Sequence, residues 1–204
     1  MKLLFEDADI EVHRLVVGPI SNNAYIFRCR HSGDAVLIDA ANEPDRLIPA
    51  CQRLGVRVAL ETHGHWDHVQ AVPEARAAGI SVWVAEPDAA MLPSYDLLIR
   101  HEQAIPVGRT ELVALHTPGH TRGSMCFAYH SEERPVVFSG DTLFLGGPGN
   151  TTSEGASFET ILDSISRELF GRFPDRTLVL PGHGISTTIG RERPHLPNWI
   201  ARGF

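Results

Sequence analysis

Apolar positions along this chain fall into short runs separated by turn residues. IEVHRLVVG (10–18), NNAYIFRC (22–29) and DAVLIDA (34–40) carry β-branched and aromatic residues bounded by Gly, Asn and Asp, which predicts three early strands. EPDRLIPACQRLG (43–55) predicts a helix, with an acidic start, apolar Leu47, Ile48 and Leu54, and Gly55 as the stop. A further strand, VRVALE (56–61), runs directly into THGHWDHV (62–69), after which VQAVPEARAAG (69–79) reads as a helix and SVWVA (81–85) as a strand. Residues 85–100 predict a helical or irregular excursion.

The second half repeats this plan. ELVALHT, SMCFAYH and PVVFSGD predict strands, and SFETILDSISRELFG (157–171) is an amphipathic helix with Phe158, Ile161, Leu162, Ile165 and Leu169 on one face. TLVLPGHG is again a strand that ends in a histidine turn. In each half a strand stops at an aspartate, Asp39 or Asp141, a helix follows, and the next strand delivers histidine from its C-terminal end. That order predicts an α+β chain of two pseudo-repeated halves, two packed sheets flanked by helices, with strand ends from both halves meeting at one site. A single domain over 1–204 is expected, with the glycine-rich stretch 146–157 as a flexible loop beside the site and the last residues packed as a tail.

Composition narrows the function classes. A net charge of −7 without a basic block lacks the footprint of a nucleic-acid binder, although all but one of the 18 basic residues are arginine. No apolar run approaches the roughly 18 residues that span a bilayer, and the acidic start does not suit a secretory signal, so no membrane association and a cytoplasmic location are expected. Cys29, Cys51 and Cys126 are odd in number and widely spaced, which suggests small buried residues rather than a disulfide framework.

Histidine is the unusual residue, 11 in all, several of them in turns. THGHWDHV gathers His63, His65, Asp67 and His68 immediately after a strand, and packing gives no reason to collect these donors. His63 and His65 can project to one side of an extended turn while Asp67 and His68 face a second point, so one loop can serve two metals. Nitrogen and carboxylate donors without cysteine suit zinc first, with iron or manganese as alternatives, and catalysis needs an open position besides the protein ligands. TPGHT, SGDTLF and PGHG place His120, Asp141 and His183 on constrained turns after strands. Each of these alone is ordinarily a capping or solvated residue; beside the HxHxDH cluster they become candidate ligands. Asp39 is read either as a turn cap or as a partner to a ligand histidine, Trp66 as a pocket wall or a core anchor, and His116 as supporting. His13, His31, His101, His130 and His195 are expected in surface or packing roles, as is Arg122, which could otherwise reach an anionic substrate.

THGHWDH, TPGHT, SGDTLF and PGHG, in this order, resemble the metallo-β-lactamase fold superfamily over nearly the whole chain, and within it the short glyoxalase II-like hydrolases. The resemblance implies a four-layer αββα sandwich. It implies His63, His65 and His120 on a first metal, Asp67, His68 and His183 on a second, and Asp141 bridging. The implied activity is cleavage of a small-molecule thioester or ester by a hydroxide shared between two divalent metal ions, with Asp67 and Asp141 catalytic. Alternatives on the same fold are a mononuclear iron persulfide dioxygenase, a lactonase and, from another class, a non-catalytic metal-binding protein. The sequence departs from glyoxalase II after SGDTLF: Asn150 stands where a basic, glutathione-holding residue is expected, so the metal chemistry is implied and glutathione recognition is not.

Overall fold

The computed structural model describes residues 1–203. Strands β1 (Lys2–Glu6), β2 (Ile10–Val17), β3 (Asn22–Cys29) and β4 (Ala35–Ile38) form an antiparallel meander. Helix α1 (Pro44–Leu54) crosses over from β4 to β5 (Val56–Leu60), which pairs parallel to it. After α2 (Trp66–Val69) and α3 (Val72–Ala77), β6 (Ser81–Ala85) and β7 (Leu97–Ile99) extend the same sheet in parallel to seven strands in sequence order.

The second sheet contains β8 (Ala104–Val107), β9 (Thr110–His116), β10 (Met125–Tyr129) and β11 (Val136–Gly140). β12 (Leu143–Phe144) and β13 (Gly147–Pro148) form a small separate ribbon, followed by α4 (Phe158–Ser164), whose last turns widen to π geometry over Ile165–Phe170. β14 (Leu178–Pro181) then pairs parallel to β11, and β15 (Thr187–Thr188) closes the edge ahead of α5 (Ile189–Glu192) and α6 (Leu196–Arg202). The predicted duplication is therefore physical: β4–α1–β5 and β11–α4–β14 are equivalent crossovers, one in each sheet.

Period-two alternation decides the layers. On β2 and β3, Val12, Tyr25 and Phe27 point between the sheets, where they join Leu60, Phe127, Phe138 and Leu180. Leu15, Val17, Ala24 and Ile26 point the other way, into a layer with Leu47 and Cys51 of α1 and Val72 and Ala75 of α3. On the far side Ile161, Ile165 and Leu169 cover the second sheet together with Trp199 of α6. The result is the expected αββα sandwich, and all three cysteines are free and buried.

Several local expectations change. The helix expected over 69–79 is two pieces, because Pro73 begins a new helix and the amides of Gln70 and Ala71 turn aside to the carbonyls of Ala41 and Ala40. The excursion over 85–100 is a 3-10 turn, Glu86–Met91, followed by β7. The glycine-rich stretch, expected as a flexible loop, contributes β13 to the small ribbon, and the carbonyl of its Asn150 reaches the site.

Candidate metal centre

Parallel pairing puts the C-terminal ends of β4 and β5 side by side, and those of β11 and β14 likewise; all four open onto one end of the sandwich. Asp39 follows β4 in a left-handed backbone conformation at φ 62°, which aims its carboxylate across at the β5 turn. The amide of Thr62 donates to Asp39 Oδ1 at 2.7 Å, and the Thr62 hydroxyl donates to Oδ2 at 2.9 Å. From the other half, β3 grips the PGHG turn: the Asn23 side chain and the Tyr25 hydroxyl both donate to the carbonyl of Pro181, at 2.9 and 2.8 Å. Gly182 is bare of necessity, since a Cβ there would lie 2.3 Å from Asp141 Oδ1 and 2.7 Å from His68 Cε1.

All seven side chains singled out in the sequence converge. His63, His65 and His120 form one group of donors, Asp67, His68 and His183 another, and in each the ligand atoms lie within 4.8 Å of one another. Asp141 lies between them: Oδ1 is 3.5 Å from His68 Nε2, and Oδ2 is 3.6 Å from both His120 Nε2 and His183 Nε2. Asp67 Oδ2 is 3.2 Å from His183 Nε2 and accepts from the Asn22 amide at 2.7 Å.

The outer partners set which nitrogen faces inward. His68 Nδ1 donates to Asp39 at 2.8 Å, His120 Nδ1 to the carbonyl of Asn150 at 2.6 Å, and His183 Nδ1 to the carbonyl of Ile20 at 3.2 Å. The Thr62 hydroxyl has already given its proton to Asp39, so at 3.1 Å it can only accept from His63 Nδ1. Four imidazoles thus spend Nδ1–H outward and turn Nε2 toward the centre, the arrangement that orients ligand histidines. His65 turns Nδ1 inward, 3.1 Å from His63 Nε2.

The electrostatics of this donor set call for positive charge. Burial, reinforced by the neighbouring histidines, holds His63 well below the ordinary imidazole range and His65 below it, so both are neutral with free lone pairs at neutral pH. Burial opposes charge on His68, yet Asp141 and Asp39 together drive it well above the ordinary range; His183 rises likewise against burial, through Asp67 and Asp141. Burial would raise Asp67, but hydrogen bonds with His183, His68 and Asn22 outweigh it and hold its carboxyl below the usual range. Among the described residues, buried His120 Nε2 and Asp141 Oδ1 have no hydrogen-bond partner, a costly condition that cation coordination would relieve. The residues therefore fit a metal centre.

Residues 17–183 match the family model of the metallo-beta-lactamase superfamily. The chain belongs to that superfamily. Among its curated relatives, hydroxyacylglutathione hydrolase GloC of Haemophilus influenzae is 32% identical over 80% of this chain and 86% of its own length. Among solved structures, the BLEG-1 B3 metallo-beta-lactamase superposes with a TM-score of 0.79 at 30% identity, covering 92% of this chain and 98% of that one. TTHA1623 in a di-iron-bound form gives 0.76 at 32% identity, covering 89% and 96%. As a superfamily member the chain is hydrolase-like and metal-binding. No helix among the described residues is long and apolar enough to cross a membrane.

Two buried acids beside the histidine turns, Glu61 and Asp88, carry no signal in the sequence. Glu61 lies under the site, its carboxylate accepting from the amide of Ala40 through both oxygens at 3.2 Å, and burial followed by the charge of Asp39 pushes it well above the carboxylate range. Asp88 lies beside the first histidine turn. A single acid inside VALET or AEPDAAM carries no periodic signal, since each looks like a strand end or a helix start. Trp66 is 55% exposed, which rules out the core-anchor reading; Ile20 and Ile185 are also exposed, and the ring of Phe144 stacks 6.4 Å from that of His183. His116 is structural, donating from Nε2 to the carbonyl of Arg122 at 2.9 Å.

Proposed function

We propose that this protein is a dinuclear metallohydrolase that cleaves a small thioester or ester, in the manner suggested by its hydroxyacylglutathione hydrolase relative. The observation that carries the reading is the position of Asp141 between two three-donor groups, within 3.6 Å of nitrogen donors from both. His63, His65 and His120 would hold one cation, Asp67, His68 and His183 the other, and Asp141 both. Zinc is the expected metal, and the di-iron relative keeps iron as an alternative.

Bound there, divalent cations supply a lowered pKa for water, from near 16 to about 7, and polarise a carbonyl. The chain's own residues do the rest. Asp39, Thr62, Asn150 and Ile20 fix the imidazoles, so the donors need no reorganisation during reaction. Asp67, held below the usual carboxyl range, stays an anion and can accept a proton-bearing nucleophile's hydrogen bond beside that of Asn22. Ile20, Trp66, Phe144 and Ile185 give an uncharged part of the substrate an apolar rim to lie against. Asn150 offers no cation for glutathione: its side-chain oxygen accepts from the amide and hydroxyl of Thr152, within its own loop.

The test is a parallel assay of purified protein against S-lactoylglutathione, uncharged acyl thioesters and esters, a lactone, a β-lactam and a persulfide with oxygen uptake monitored. Thioester or ester cleavage is the expected result. Oxygen uptake with the persulfide, or turnover of the β-lactam alone, would overturn it.

A further inference from the structure

Asp88 joins the two turns that carry His63, His65 and His120. Its side chain is buried in the 3-10 turn after β6. Oδ2 accepts from the amide of Gly64 at 2.9 Å and from the hydroxyl of Thr121 at 2.6 Å, while Oδ1 accepts from the amide of Gly123 at 2.7 Å. Gly64 lies between His63 and His65, and Thr121 directly follows His120. One carboxylate therefore takes donors from both turns, through charge-assisted bonds sealed from water.

A neighbouring hydroxyl completes this set of bonds. Thr121 gives its only hydroxyl proton to Asp88, so the Ser124 hydroxyl, 2.7 Å away, donates to Thr121 Oγ1 and in turn accepts the Thr121 amide at 3.0 Å. Two glycines report the same close approach from opposite sides. A Cβ on Gly64 would lie 2.6 Å from Met91 Cβ, in the turn that carries Asp88, and a Cβ on Gly123 would lie 2.6 Å from Asp88 Cγ. The second donor group is held by other residues: Asp39 on His68, Asn22 on Asp67 and the Ile20 carbonyl on His183.

We propose that Asp88 is a positioning residue for the His63–His65–His120 group alone, setting the separation of its two turns. The proposal rests on the two-cation reading above. A cation held by this trio depends on Asp88, and one held by Asp67, His68 and His183 does not. Asp88→Asn keeps the volume but turns an amide NH₂ toward a backbone or hydroxyl donor, so at least one of the three bonds is lost.

The experiment titrates metal-stripped full-length protein with Zn²⁺ against a chromogenic chelator, with His120→Ala and His183→Ala assigning the two binding steps. For Asp88→Asn the step lost in His120→Ala weakens about ten- to a hundredfold, the size typical of outer-shell changes, while the other step stays within about threefold. Thr121→Val, which removes one donor, weakens the same step less and decides the matter should Asp88→Asn not fold. Wild-type affinity in both steps, or equal weakening of both that tracks a lower melting temperature of the stripped protein, overturns the proposal. A wild-type protein that takes up no Zn²⁺ is a separate failure, because it removes the two-cation reading itself and the proposal with it.

Discussion

His68 Nδ1 stands 2.8 Å from Asp39 Oδ2, with both side chains sealed from solvent. Asp39 belongs to the strand end of β4 and His68 to the helix that follows β5, so this contact ties the crossover of the first half to the centre. Asp39→Asn keeps a residue that tolerates the left-handed backbone, removes the charge and turns an amide NH₂ toward Thr62 or His68, so at least one accepted hydrogen bond is lost. The expected outcome is loss of one of two cations per chain and a destabilisation of about 1.5–3 kcal/mol, read by elemental analysis and denaturant unfolding. Full occupancy with unchanged stability would show the contact to be incidental.

Gly182→Ala tests the geometry without replacing a donor. The new Cβ falls on Asp141 Oδ1, and the carboxylate must move. A shift of about 1 Å in a positioned group costs on the order of a hundredfold in rate, so kcat falls by that factor while circular dichroism remains that of the folded chain.

The histidines of the metal-free protein separate by titration. His63 and His65, lowered mainly by burial, titrate below 6.5, whereas His68 and His183, raised by carboxylates, titrate above it. The signs differ accordingly. Stability linked to His68 and His183 is fully present below 6.5 and is lost as pH rises through their folded values. Stability linked to His63 and His65 is present above 6.5 and is lost as pH falls below it. A cation entering the Asp67–His68–His183 group must displace a proton, so its apparent affinity climbs with pH above 6.5, whereas His63 and His65 have no proton to give up at that pH. Imidazole ¹⁵N chemical shifts against pH, with and without Zn²⁺, check both statements.

Trp66→Ala separates substrate binding from metal chemistry. The ring is exposed at the rim, so stability changes by no more than about 0.5 kcal/mol and both cations remain. KM for a thioester with an apolar acyl group rises about tenfold, equivalent to about 1.4 kcal/mol, with kcat little changed. Equal KM values for mutant and wild type would remove Trp66 from the substrate surface.

What the sequence reveals follows from the range of the forces involved. Strands β2 to β6 and β9 to β11 are legible because each buries a face or both faces, and alternation or continuous apolar runs record that directly. β1, β7, β8, β12, β13 and β15 are short or half-exposed pieces that leave too little alternation to read, as in the two-residue β15, whose Thr188 pairs with Leu178. The HxHxDH turn stands out because packing never requires four such donors together. Asp88 does not, because its meaning lies in the amides of Gly64 and Gly123, 24 and 35 residues away in sequence.

Native mass spectrometry of protein purified without added metal measures the centre most directly. A mass excess of two divalent cations per chain is expected, reduced to one or none in Asp141→Asn. A wild-type chain that carries one cation or none after saturation with Zn²⁺ would contradict the dinuclear reading.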